Sequence, residues 1–299
     1  MVVEVTRLHG HVTGRCKHRF MNPLTSIAEA STMGQEPLSS PVSSRMPAPA
    51  VAAGGVRLDA FWATSDSEVR QAQRLRHRVF AQEMGARLTP MPGLPTDLDA
   101  DAFDDFCEHL MVRAWPADGG EPEVVGTYRV LTPDAARRAG RLYADGEFDL
   151  SALDALRGRM VELGRACTHP DHRSGAVILM LWSSLAQFMA RNGLELMVGC
   201  ASVPMADGGH AAAALWRQLS ETSLAGEALR VQPRLPLPVD ELDRGLQVEP
   251  PALLKGYLRC GAKLLGAPAW DPDFGTADLP IMLDLADVPE SYRRRFLAG

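Results

Sequence analysis

The run from Met160 to Ala190, MVELGRACTHPDHRSGAVILMLWSSLAQFMA, constrains this chain more than any other segment. It predicts a strand, a turn, an arginine-and-glycine loop and a long helix. Alternation puts Val161, Leu163 and Arg165 on one strand face and Glu162, Gly164 and Ala166 on the other. His169-Pro170-Asp171 is turn chemistry. Ile178, Leu181, Trp182, Leu185 and Phe188 recur at helical spacing, and Arg191-Asn192-Gly193 stops the helix. LELMVGCAS then reads as a second strand. A helix that starts straight after such a loop offers unpaired N–H groups and the positive end of its dipole. It is therefore a natural seat for a phosphate, at the carboxyl end of a strand where open α/β sheets bind ligands. With Glu162 and Arg165 on that strand, the pattern suggests group transfer from a donor with a phosphate handle.

Composition narrows the field. The chain has 299 residues, 46% hydrophobic and 23% charged, with a net charge of −6. That balance excludes a general nucleic-acid binder. Its local basic patches (Arg74/Arg76/Arg78, Arg137/Arg138/Arg141, Arg293/Arg294/Arg295) read as solvated faces or as contacts for an acidic partner protein. Five scattered cysteines with no CxxC pair fit a reducing cytoplasm rather than a disulfide framework. The longest apolar run, AVILMLW, is far short of the roughly 20 residues needed to cross a bilayer.

Residues 1–55, rich in Pro, Ser and Gly from Ser31 onward, are expected to be a disordered extension. The folded domain is expected over 56–299. VRLDAFWAT predicts a strand, followed by a helix capped by Ser65 or Asp66. CEHLMVRAWP and EVVGTYRVL predict a hairpin. The segment 209–226 is predicted to be helical, a helix is predicted to begin at Pro251, and PIMLDLAD predicts a last strand.

The strand–loop–helix unit resembles the GNAT acyltransferase fold. The ordered set RLRHRVFAQEMGA (74–86), DAFDDFCEHLMV (101–112), VVGTYRVL (124–131), YADGEFDL (143–150), VELGRACTHPDHR (161–173) and LWSSLAQF (181–188) resembles the ornithine N-alpha-acyltransferases of ornithine-lipid synthesis. GCAS (199–202), PPALLKGYLRCGA (250–262) and DPDFGTAD (271–278) continue the likeness. The resemblance implies an α/β (α+β in stricter usage) fold, a GNAT-like mixed sheet with helices on both faces. It implies transfer of a 3-hydroxyacyl group from acyl carrier protein to the alpha-amine of L-ornithine, giving lyso-ornithine lipid. Phosphopantetheine would arrive on the carrier, and no cofactor would be held permanently. The donor loop implied is Arg173, Ser174, Gly175 and Ala176. It lacks the second glycine of a coenzyme A loop, which suits a carrier with one phosphate there. The same blocks resemble acyl-homoserine-lactone synthases, the alternative reading. A coenzyme A-dependent acetyltransferase and a catalytically dead binding module are further alternatives.

Aminolysis of a thioester needs a neutral amine, so a carboxylate must accept its proton. Glu162 is the candidate base, with a structural Glu162–Arg165 pair as the plain alternative. Asp101 and Asp104 are candidates for the ammonium groups of ornithine, or else a solvated acidic loop. Arg76 or Arg129 could clamp its carboxylate, with Arg165 alongside. Backbone amides near Ala166 and Cys167 would hold the oxyanion. Tyr257 is the candidate proton donor to the departing thiolate. Cys167, His169 and His172 lack a fourth ligand and are not expected to bind metal. Cys167 is not expected as a nucleophile, nor Gly208-Gly209-His210 as more than a loop. An apolar acyl chain and product leave room for peripheral membrane contact. The basic run at 292–297, though, is expected to form an ordinary C-terminal helix.

Overall fold

The computed structural model describes residues 50–51, 56–173, 175–242 and 245–297. The expected disordered extension therefore lies outside the described residues, apart from Ala50–Val51. Those two form a short strand, β1, paired with β2 (Arg57–Trp62).

Ser65 caps α1 (Asp66–His77), its side chain accepting the Glu68 N–H, and a π-helical stretch, Arg78–Glu83, continues it. Ala72, Leu75, Val79 and Phe80 recur at helical spacing and pack as a cluster against Met111, Val124 and Cys167. The predicted hairpin is β3 (Glu108–Trp115) and β4 (Glu123–Leu131). Thr132 caps the short α2 (Pro133–Ala139). A loop with 3₁₀ turns and the two-residue β5 (Phe148–Asp149) then leads to β6 (Met160–Thr168). α3 (Ala176–Arg191) and β7 (Leu196–Pro204) complete the predicted strand–helix–strand unit. α4 (His210–Ser220), β8 (Gln232–Pro233), α5 (Ala252–Arg259), β9 (Lys263–Leu264), β10 (Ala269–Asp271), β11 (Thr276–Asp284) and α6 (Glu290–Leu297) follow. His210, expected in a loop, is the first residue of α4.

The main sheet runs β1-β2-β3-β4-β6-β7-β11-β10, with β9 also on β11. All its pairings are antiparallel except β6–β7. Alternate residues of the central strands feed opposite faces. Leu110, Val112, Val125, Tyr128, Val161 and Leu163 join α3 to α5 in one core, while Met111 and Val124 meet α1 on the other. The mixed sheet with helices on both faces is the expected architecture.

Two features of this frame build the site. The parallel ladder pairs Met160, Val161 and Glu162 with Leu196, Met197 and Val198. Past Glu162, β6 stays with β4 and β7 stays with β11, so the sheet opens between them. The second feature is a bulge. Thr127 and Arg129 of β4 face Cys167 and Gly164 of β6, so Arg165 and Ala166 together oppose Tyr128. Arg165 takes φ +48°, rare for a residue with a Cβ. This overturns simple alternation: Ala166 joins Val161 and Leu163 in the α3 core, and Arg165 turns to the other face.

Candidate active site

On the α1 face, three arginines and three aspartates form one buried network. Arg76 is fully buried. Its Nε lies 3.0 Å from Asp99, and its two terminal nitrogens donate to the Asp104 carboxylate at 2.9 and 2.7 Å. Arg129, 4% exposed, donates to Asp101 at 2.7 Å and Asp104 at 3.1 Å. Arg165 reaches Asp99 and Asp101, each at 3.1 Å. Gln73 donates a further bond to Asp104 at 2.9 Å. Burial alone would raise the Asp104 pKa, but Arg76 and Arg129 beside it hold the carboxyl far below its usual range. Asp99, Asp101 and Asp104 thus have guanidinium partners from α1, β4 and β6 and are not a solvated acidic loop. Arg165 pairs with Asp99 and Asp101, so the plain Glu162–Arg165 pair is replaced by this network.

Beside the network lies a cavity of about 40 Å³. Arg129, Tyr143, Glu147, Glu162, Leu163, Arg165, Cys200, Ser202, Asp271, Phe274 and Asp278 border it. The Arg165 guanidinium stacks over Tyr143 at 4.9 Å and Phe274 at 4.7 Å, which fixes its plane. Glu162 is buried. Its two carboxylate oxygens accept the Tyr143 and Ala144 backbone N–H groups at 2.6 and 2.7 Å. Burial raises its pKa, and those two hydrogen bonds offset only part of the rise. A carboxylate moved up in this way is a stronger proton acceptor.

A second cavity, about 120 Å³, lies on the α3 face. Leu163 borders both cavities. Leu185, Ile281, Leu283 and Phe296 make this second lining apolar, with polar tips from Tyr128, Tyr257 and Trp182. The Tyr128 and Tyr257 hydroxyls hydrogen-bond each other, Trp182 stacks on Tyr257 at 5.3 Å, and the Trp182 Nε1 is buried beside them. Burial pushes both tyrosine pKa values up, so each hydroxyl keeps its proton. α6 closes one wall through Phe296 and Arg293. The basic run at 292–297 is therefore a helix packed on the body.

The donor loop sits at the start of α3. Gly175, at φ +86°, is the N-cap of the helix and has no side chain to bond its first turn. Gly126 of β4 has no Cβ to block this approach; one there would lie 2.4 Å from Val177. Arg173 donates to both carboxylate oxygens of Glu83 at 2.6 and 2.7 Å. Ser174 lies outside the described residues, and Ala176 is the first residue of α3. Cys167 is buried, with its thiol pKa pushed up by that burial, which makes it a poor nucleophile.

Sequence reasoning missed Glu147, Asp271, Asp278 and Ser202. Among the described residues, the first three are the acidic group close enough to share one cation, their ligand atoms all within 4.8 Å of one another. Their only sequence signal is position, inside YADGEFDL, DPDFGTAD and GCAS.

The description "acetyltransferase (GNAT) domain" matches residues 75–183, from the last turn of α1 to the middle of α3. The L-ornithine N(alpha)-acyltransferase of Rhodobacter capsulatus is 38% identical over 240 residues, covering 76% of this chain and 89% of that protein. The enzyme of the same name from Rhizobium meliloti is 32% identical, covering 79% and 82%. Among solved structures, the CoA-dependent acyl-homoserine lactone synthase BjaI aligns at TM-score 0.44 and 17% identity, over 77% of this chain and 81% of that one. The split mixed sheet, the helix entered through Gly175, and relatives this similar over most of their length establish that the chain belongs to the L-ornithine N(alpha)-acyltransferase family, on the GNAT fold.

Proposed function

We propose that this protein transfers a 3-hydroxyacyl group from acyl carrier protein to the α-amine of L-ornithine, making lyso-ornithine lipid. The observation that carries the reading is the pair of cavities at the opening between β6 and β7. One is apolar, and the other is lined by both arginines and carboxylates. An acyl chain suits the first and a zwitterionic amino acid the second. Leu163 lies between them, where a thioester carbonyl and an amine would meet.

In this account the phosphate of the carrier's pantetheine arm rests on the α3 N-terminus near Arg173 and Gly175. Arg129 and Arg165, held rigid by Asp99, Asp101 and Asp104, receive the ornithine carboxylate. Asp101 and Asp104 act through the arginines they position. Glu162 takes the α-ammonium proton, directly or through water. The amine then attacks the thioester carbon, a C–N bond forms, and backbone N–H groups near Ala166 and Cys167 hold the oxyanion. The C–S bond breaks as the nitrogen of the intermediate loses its second proton and the thiolate gains one. Tyr257 on the acyl side is the candidate that gives its proton to the sulfur and regains one from the nitrogen through solvent. The hydroxyls of Tyr128 and Tyr257 and the Trp182 N–H offer partners to a hydroxyl near the head of an otherwise apolar chain. No helix among the described residues is long and apolar enough to cross a membrane. Delivery of an amphiphilic product suits peripheral contact with one.

The test is lipid mass spectrometry of a host lacking aminolipids that expresses the chain. A monoacylated ornithine with a 3-hydroxyacyl amide is expected. Acyl-homoserine lactones without a lyso-lipid would overturn the reading.

A further inference from the structure

We propose that Glu147, Asp271, Asp278 and Ser202 form a subsite for the side-chain ammonium of the acceptor, and that this subsite selects a diamino acid over a neutral one. The inference rests on reading the polar cavity as the acceptor site.

Three separate segments build the acidic group. Glu147 precedes β5, Asp271 ends β10, and Asp278 lies on β11 directly opposite Ser202 of β7. Asp278 is 4% exposed and Ser202 5%. The neighbours of the carboxylates are neutral. The Cys200 thiol donates to Glu147 at 3.3 Å and the Thr276 hydroxyl to Asp278 at 3.2 Å. Backbone N–H groups of Asp273 and Phe274 reach Asp271 at 2.9 and 3.0 Å. None of the three carboxylates has an ion-pair partner among the described residues, in contrast to Asp99, Asp101 and Asp104. The Ser202 hydroxyl borders the cavity and has no hydrogen-bond partner among them.

Clustered carboxylates away from water repel one another and lose hydration, so the arrangement is completed by a cation. Burial, then the nearby Asp278 and Asp271, raises the Glu147 pKa well above its usual range, the mark of a carboxylate short of positive charge. An ammonium has three N–H donors, which three carboxylates and a hydroxyl can satisfy. Calcium or magnesium asks for six or more oxygens. The same cavity is bordered by Arg129 and Arg165, whose guanidinium groups suit a carboxylate. A ligand with an anion at one end and a cation at the other is an amino acid with a basic side chain.

The test compares ornithine with norvaline, which has the same carbon chain and no side-chain amine. The full-length protein is assayed with a 3-hydroxyacyl carrier-protein thioester. Wild-type kcat/KM is expected to favour ornithine by at least about 10²-fold, since a site built to bond an amine rejects the analogue lacking it. Asp278→Asn and, separately, Glu147→Gln are expected to pull that ratio towards one, mainly by raising KM for ornithine. Thermal unfolding confirms that each variant is folded, and the wild-type comparison decides even if neither is. Equal use of both acceptors by wild type would overturn the subsite and leave the acceptor-site reading standing. Acylation of neither would overturn that reading itself. Activity lost to a chelator and restored by magnesium or calcium, with the ornithine preference intact in both variants, would assign the group to a metal and overturn the proposal.

Discussion

Leu163 and Gly199 meet where β6 and β7 part: a Cβ at position 199 would lie 2.5 Å from the Leu163 carbonyl oxygen. Backbone cannot yield to that contact without moving a strand. Gly199→Ala is expected to cost about 1–3 kcal/mol, the range for overpacking a tight interior. Because the forced movement lies between the two cavities, acyl transfer should fall more than the folded fraction does. Chemical denaturation and initial rates on the same preparation check this. Wild-type activity in the variant would show that the opening tolerates a wider spacing.

Arg76 has no exposed surface and is bonded to both Asp99 and Asp104. Arg76→Leu leaves those carboxylates without their main counter-charge. Removing one partner of a buried pair typically costs about 3–5 kcal/mol, and the expected outcome is a protein that unfolds at much lower denaturant or fails to accumulate. A loss under about 1 kcal/mol would mean that water or Arg129 and Arg165 compensate fully.

Glu162→Gln separates chemistry from scaffolding. Glutamine offers one carbonyl oxygen where the carboxylate accepts both the Tyr143 and Ala144 N–H groups. A stability loss of about 1–3 kcal/mol is expected from the unpaired N–H. If Glu162 accepts the amine proton, turnover of the folded protein should also fall by about 10²–10⁴, with partial rescue at higher pH as the amine deprotonates unaided. A destabilised variant with wild-type turnover would leave Glu162 a purely structural role.

The strand–helix–strand unit, the β3–β4 hairpin and the capped α1 were legible because burial imposes period 2 on strands and period 3.6 on helices. The bulge at Arg165 was not: strict alternation assumes one residue opposite one, and the extra residue shows only when β4 is laid beside β6. Asp101, Asp104, Arg76, Arg129 and Arg165 were each singled out as charges worth explaining. Their mutual pairing was hidden because the partners stand 23 to 64 residues apart. Glu147 stands in YADGEFDL, and Asp271 and Asp278 in DPDFGTAD just before the predicted last strand, far apart along the chain. Only the fold of β10 and β11 against the loop before β5 makes them neighbours.

Glu147 also sets a pH dependence. Its pKa in the folded protein is raised by burial and by Asp278 and Asp271, so between its ordinary value and the raised one the folded state binds more protons than the unfolded. Its contribution to stability is therefore fully present below the ordinary glutamate pKa and is lost as pH rises through the raised value. The ligand-free melting temperature should fall across that window, and Glu147→Gln should flatten the slope. Saturating ornithine should stabilise wild type more as pH rises, because the cation binds the ionised cluster. An identical slope in the variant would show that Glu147 is not the group responsible.

On the acyl side, Tyr257→Phe removes the hydroxyl bonded to Tyr128. If Tyr257 recognises the acyl hydroxyl, the preference for 3-hydroxyacyl over plain acyl donors should shrink by about tenfold, the worth of one hydrogen bond. If it instead protonates the thiolate, both donors should slow equally. Competition between the two carrier-protein thioesters, read by product mass, separates these outcomes.

The central claim is transfer from a carrier-bound 3-hydroxyacyl thioester to the α-amine of ornithine. It is tested most directly by mixing purified protein, L-ornithine and matched 3-hydroxyacyl thioesters of acyl carrier protein and of coenzyme A. Thiol release and product are followed together, and fragmentation of the product shows which nitrogen is acylated. The account expects one thiol released per amide formed, the acyl group on the α-nitrogen, and a higher kcat/KM for the carrier-protein donor. Acylation of the side-chain amine, preference for the coenzyme A thioester, or no amide from ornithine would contradict it.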